Sequence, residues 1–165
     1  MVRRACILVL ALACSVGGVL AAGGGGGGGG GSAAPPQDPV IVAARDAFAK
    51  GDWTAAQDNL KKALVDSPNN ADYHNLYAYS VRKGPNPDME LVFAEYNAAL
   101  RINPKHRGAH EYIGEAYLQM DNVAKAKEHL ARLDKLCFFP CEEYSTLKKA
   151  VADYESGHKA QASNW

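Results

Sequence analysis

The chain has 165 residues, with 18 Lys plus Arg against 18 Asp plus Glu and a formal net charge of zero. That balance leaves no basic field to attract nucleic acid and no basic cluster to suggest a lipid surface. Neither nucleic acid nor a membrane surface is expected as partner, and any partner is recognised locally.

Arg3 and Arg4 precede an apolar run from Ala5 to about Val16, and small residues follow at Gly17, Gly18, Ala21 and Ala22. A charged start, short apolar middle and small-residue end describe a secretory signal peptide. Residues 1–22 are expected to be the signal-peptide region, with Val19-Leu20-Ala21 offering a cleavage site after Ala21, which places the mature chain in the periplasm or outside the cell. The run is shorter than the ~20 residues of a spanning helix, which weighs against a permanent anchor. A rival reading makes Cys14, in "LALAC", a lipid-attachment site with the glycines behind it as tether; Ala11 and Leu12 fit that pattern poorly. Gly23 to Gly31 is an unbroken glycine run followed by "SAAPPQDP". With the largest backbone entropy to lose and no side chain to bury, residues 23–37 are predicted to be a disordered linker. No strand precedes the glycines and no Lys-Ser/Thr follows, so nothing there cradles phosphate.

From Asp38 the pattern becomes helical. "PVIVAARDAFAK" from Pro39, "ADYHNLYAYSVRK" from Ala71 and "RGAHEYIGEAYLQM" from Arg107 carry apolar residues three and four apart. Each is followed by a second helical segment: "GDWTAAQDNLKKALVDSPNN" from Gly51, "PDMELVFAEYNAALRINPKH" from Pro87 and "DNVAKAKEHLARLDKLCFFP" from Asp121. Their corresponding positions read Ala56, Val92, Ala126; Leu60, Tyr96, Leu130; and Ala63, Ala99, Leu133, while Pro68 matches Pro104 and Phe138 takes the third place. Asp38-Pro39 reads as a cap followed by a first-turn proline. Gly51 can close the first helix in a left-handed conformation, and Asp52 or Thr54 can cap the second. Pro68 and Pro104 stop the second helices of their pairs. No stretch alternates long enough for a strand. Three helix pairs at about 37–70, 71–106 and 107–140 follow, within 38–140.

"CEEYSTLKKAVADYESG" then repeats Tyr144, Leu147, Val151 and Tyr154 at helical spacing. It is predicted to be a helix from about Glu142 to Ser156 within 141–157, covering the open apolar end of the stack as a cap. Residues 158–165 are expected to be a flexible tail. The fold class is all-α, an α-solenoid of three helix pairs plus a C-terminal capping helix.

These residues resemble the tetratricopeptide repeat. The resemblance rests on Gly51-Asp52-Trp53, Ala56, Ala63-Leu64 and Pro68 in the first copy, and on Ile113-Gly114, Tyr117, Asp121-Asn122-Val123 and Ala126 in the third. The second copy departs most, with Ala78 at the small position, Val92 for alanine and an enlarged turn at "KGPNPD". The resemblance implies that Ala44, Ala56, Ala78 and Gly114 sit where the two helices of a pair cross closely. It also implies a concave groove lined by the first helix of each pair. Those positions are Arg45; Asp72, Asn75, Tyr79, Arg82 and Lys83; and Glu111, Glu115 and Gln119. A basic and aromatic segment would lie beside an acidic one, a surface able to hold a peptide. The Lys/Asn/Arg clamp that some relatives use on chaperone C-termini is not matched.

Chemistry-bearing residues are sparse. No nucleophile elbow, phosphate loop or carboxylate pair with a neighbouring histidine is present, so no enzyme and no cofactor are expected. His106 and His110 have metal-like spacing without a third and fourth ligand, which makes a poor zinc site. His74 and His110 share a repeat position and are expected to make an edge hydrogen bond within a helix pair. Trp53, Tyr96, Tyr112 and Tyr117 are expected to be core. Cys6 and Cys14 leave with the signal peptide, so the mature chain keeps Cys137 and Cys141. An extended five-residue stretch would hold their Cα atoms roughly 13 Å apart, so a bridge needs a turn, which Pro140 can provide. A structural disulfide in an oxidising compartment is one reading. A redox couple and a soft-metal site, for Cu(I), are the alternatives.

Overall fold

The computed structural model describes residues 37–139 and 141–157. The expected signal peptide, Cys14, all of the linker but Gln37, Pro140 and the tail 158–165 lie outside the described residues. Among the described residues there are seven α-helices and no strand: α1 (Pro39–Ala49), α2 (Trp53–Asp66), α3 (Ala71–Lys83), α4 (Met89–Ile102), α5 (Arg107–Gln119), α6 (Val123–Leu136) and α7 (Glu142–Glu155). α1 packs on α2, α3 on α4 and α5 on α6; α3 also packs on α2, α5 on α4, and α7 on both α5 and α6. The fold is an all-α solenoid of three helix pairs closed by a seventh helix.

Local chemistry starts six of the seven helices in the same way. Asp38, Asp52, Asn70, Asp88, His106 and Asn122 each accept a hydrogen bond from the backbone N–H three residues on. Such a cap satisfies a donor that the helix cannot, and contributes about 1 kcal/mol. Asp52, rather than Thr54, caps α2. The stops are equally local. α2 and α4 end two residues before Pro68 and Pro104, because proline disfavours a helical residue before it. Gly51 turns at φ 69° between α1 and α2, and Asp121 occupies the matching turn between α5 and α6 at φ 56°. A short polar side chain tolerates that left-handed conformation, and Asp121 Oδ1 accepts from the Tyr154 hydroxyl of α7 at 2.9 Å.

The core forms three successive clusters. Ala44, Leu60, Tyr73 and Leu76 fill the first; Ala78, Val81, Val92, Tyr96, Ile113 and Ala116 the second; Leu118, Ala126, Leu133, Leu147, Ala150 and Val151 the third. The aligned positions Ala56, Val92 and Ala126 are all fully buried. Tyr96, Leu60, Ile113, Leu133 and Leu147 are the largest fully buried side chains, each contributing about 1.5–3 kcal/mol against exposure.

Gly114 is closely approached by the capping helix as well. A Cβ there would lie 2.6 Å from Leu147 Cδ2 and 2.8 Å from Cδ1. The atoms closest to its missing side chain therefore belong to the capping helix. Of the aromatic residues expected in the core, Tyr96 is fully buried and Trp53, Tyr112 and Tyr117 are partly buried, in two ring clusters. Trp53 packs with Phe48 and Tyr79, and Tyr79 with Tyr112, whereas Tyr117 packs with Phe93 and His129.

Candidate functional site

The first helix of each pair contributes to one concave pocket of about 460 Å³. α1 supplies Ile41, Arg45 and Phe48; α3 supplies Asp72, Asn75, Leu76 and Tyr79; the start of α5 supplies His106, Gly108, Glu111 and Tyr112. Glu142 and Glu143, in the first turn of α7, complete its rim.

The nine groove residues expected from sequence divide into two sets. Arg45, Asp72, Asn75, Tyr79 and Glu111 line the pocket, and Arg82, Lys83, Glu115 and Gln119 do not. Arg82 and Glu115 lie in the interior, with side chains 0% and 3% exposed and a 2.7 Å hydrogen bond from Arg82 Nη2 to Glu115 Oε2. Arg82 Nε donates to the Tyr96 hydroxyl at 3.4 Å, and its guanidinium stands 5.6 Å from the centre of the Tyr79 ring. Burial opposes the charge on Arg82, but Tyr96 and Glu115 outweigh it and hold the guanidinium above its usual range. Burial and then Arg82 lower the pKa of half-buried Lys83, and Gln119 is likewise half-buried.

Within the pocket, His106 is fixed by its cap. Nδ1 accepts from the Ala109 N–H, so the proton sits on Nε2 and is donated to Asp72 Oδ1 at 3.0 Å. That hydrogen bond, opposed by burial, keeps the Asp72 carboxyl below its ordinary value. Glu111 is the opposite case. It is 8% exposed, and no hydrogen bond or ion pair to it exists among the described residues. Burial first, then the charges of Glu115, Glu143 and Glu142, push its carboxyl up to about 8. Beside it Asn75 is 4% exposed, and its Oδ1 is buried without a donor.

The histidines show the repeat at atomic detail. His74 Nε2 donates to the Pro68 carbonyl at 2.9 Å, and His110 Nε2 donates to the Pro104 carbonyl at 3.1 Å. Each thus ties its helix to the turn that ends the preceding pair. Nδ1 then meets the second helix of its own pair, through Glu95 for His74 and His129 for His110. With its proton on Nε2, His110 leaves Nδ1 as acceptor for His129 Nδ1–H at 2.9 Å. Burial followed by His110 holds His129 down at about 4, and burial also lowers His110. All four ring nitrogens of His106 and His110 therefore face protein partners.

Cys137 and Cys141 flank the junction of α6 and α7, with their sulfurs at disulfide-bonding distance and Cα atoms 5.7 Å apart. Phe138 and Phe139 between them are 96% and 77% exposed. Phe138 therefore holds the place of proline in the alignment without packing into the stack.

Eight lining residues were absent from the sequence expectation. Phe48, Leu76 and Tyr112 carry only an ordinary helical apolar pattern. Glu142 and Glu143 lie outside the repeats, where repeat position says nothing about the groove. Comparison of the chain with protein-family models and with curated proteins finds no match.

Proposed function

We propose that the chain is a small exported tetratricopeptide-repeat module that holds a protein or peptide partner in its concave pocket. The observation that carries this reading is the pocket itself, lined by the first helix of all three pairs and by five of the nine residues that the resemblance selects. Its mixed lining suits a peptide: aromatic faces at Phe48, Tyr79 and Tyr112 give contact area, and charges at its edge set register. The signal-peptide pattern of residues 1–22 supports a periplasmic or secreted location. There Cys137 and Cys141 would serve as an oxidised fastening between α6 and α7.

Site-specific photocrosslinking tests the binding role. The full chain is expressed with its leader, carrying a photoreactive amino acid at exposed Arg45 on the pocket, or at exposed Val65 on α2 as control. A discrete adduct at position 45 and none at 65 is expected. Identical adducts at both, or none at either, would refute the groove.

A further inference from the structure

We infer, resting on that reading of the groove, that its pocket seats the positively charged side chain of a lysine or arginine carried by an extended peptide partner. The chemistry lies in an imbalance of partners. Arg82 is committed to Glu115, Arg107 Nε lies 3.5 Å from Glu143, and the Nε2 proton of His106 is spent on Asp72. Arg82 and Arg107 thus each have a carboxylate, Arg45 on the α1 side acts on Asp72, and among the described residues Glu111 has no cation paired with it. A carboxyl on a residue only 8% exposed, with no donor from the protein, is costly to ionise.

Glu111 does not stand alone. Asn75 presents a second buried acceptor, Oδ1, without a donor, and it lines the same pocket. Glu142 and Glu143 rim the mouth on the α7 side. A cation in this pocket therefore has acceptors at Glu111, Asn75, Glu142 and Glu143 on its walls, of which Glu111 and Asn75 Oδ1 lack a protein donor. On the same walls Tyr79, Tyr112 and Phe48 offer ring faces, on which the methylene stem of a long basic side chain can lie while its head reaches polar atoms. That lining, ring faces together with buried acceptors, suits the stem and charged head of a long basic side chain, and a peptide adds backbone contacts along the groove that a free polyamine with the same aminobutyl arm lacks.

Binding also has a proton consequence. Glu111 retains its proton near neutrality because burial first, and then Glu115, Glu143 and Glu142, disfavour its charge, with Arg82 offsetting them only in small part. Asp72 and His106 from across the pocket already satisfy each other, and Arg45 acts on Asp72. An arriving cation releases the Glu111 proton, so affinity rises with pH until Glu111 is ionised in the free protein.

Isothermal titration of the full chain at low salt tests this with N-acetyl tetralysine amide, its tetranorleucine counterpart and spermidine. Tetralysine is expected to bind and tetranorleucine not to. Glu111→Gln, nearly isosteric and checked for folding by circular dichroism, is expected to weaken tetralysine about tenfold or more. Glu142→Gln, at the exposed rim, is expected to weaken it by about two- to fivefold. Between about pH 6 and about pH 9 the affinity of the native chain rises and that of Glu111→Gln stays level. Equal binding of tetranorleucine, or an unchanged affinity in Glu111→Gln, overturns the assignment. Spermidine bound as tightly as tetralysine, with the same dependence on Glu111, overturns the peptide as the source of the cation. Loss of tetralysine binding while the position 45 adduct persists sinks the cation site alone. Tetralysine binding without that adduct sinks the protein-partner reading instead.

Discussion

The buried Arg82–Glu115 pair offers a sharp test of the interior. Arg82→Met removes the donor to Glu115 and to the Tyr96 hydroxyl and leaves the carboxylate buried at 3% exposure. Breaking one side of such a pair costs about 3–5 kcal/mol, because the remaining charge has no compensation. Glu115→Leu should cost as much, since it strands a guanidinium whose Nη1 already lacks a partner. The double variant, with both charges gone, should lie within about 1 kcal/mol of the native chain or exceed it by up to about 4 kcal/mol. In melting temperature, at about 4 °C per kcal/mol for a domain of this size, each single variant falls by about 12–20 °C. Urea unfolding followed by circular dichroism gives the full cycle. Single variants losing less than about 1 kcal/mol, or a double variant falling by the sum of the two, would refute the pair as a coupled buried unit.

Other outcomes follow from the same geometry. Gly114→Ala should cost about 1–2 kcal/mol by driving a methyl into Leu147 despite better helix propensity, and should turn stabilising by about 1 kcal/mol in a Leu147→Ala background; calorimetry reads the sign change. The folded chain holds a proton on Glu111 that the unfolded chain releases, so stability falls as pH rises from 4.5 through about 8. Glu111→Gln should flatten that limb, and its gain should be larger at alkaline than at acid pH by about 1–3 kcal/mol; equal effects at both would count against the burial of the charge. On the acid side His129 is neutral when folded and charges when unfolded, so stability falls as pH drops from 6.5 towards about 4, and a His129→Asn melt series should lose that slope. Reducing the Cys137–Cys141 bridge, a ring of five residues, should remove about 2 kcal/mol and raise amide exchange in α7 first; uniform exchange, or an unchanged melt, would show that the bridge holds nothing.

Much of the architecture was legible because its causes are local. The Asp38-Pro39 start, the left-handed Gly51 and the stops before Pro68 and Pro104 each follow from the conformations those residues allow. Spacing alone aligned Ala56, Val92 and Ala126, whose burial needs only the helical period. What escaped the sequence depends on groups brought together from distant elements. Arg82 and Glu115 looked like groove charges because repeat position gives a direction, not a depth, and their mutual pairing is what makes burial tolerable. Gly114 answers to Leu147, a residue beyond the repeats. The acidic rim at Glu142 and Glu143 belongs to a helix whose placement follows from packing on α5, which no periodicity encodes.

Among the described helices α7 alone begins without a side-chain cap, with half-buried Cys141 at the position that Asp, Asn or His holds in the others. Its hold on the stack is tertiary: Leu147 in the Gly114 slot, and the Tyr154 hydroxyl on Asp121. A helix attached this way can leave its own slot and enter the identical slot of a second copy without losing a contact. Such an exchange needs slack between α6 and α7, and the Cys137–Cys141 ring withdraws that slack. Opening the ring therefore removes the local restraint that opposes exchange of α7 between copies.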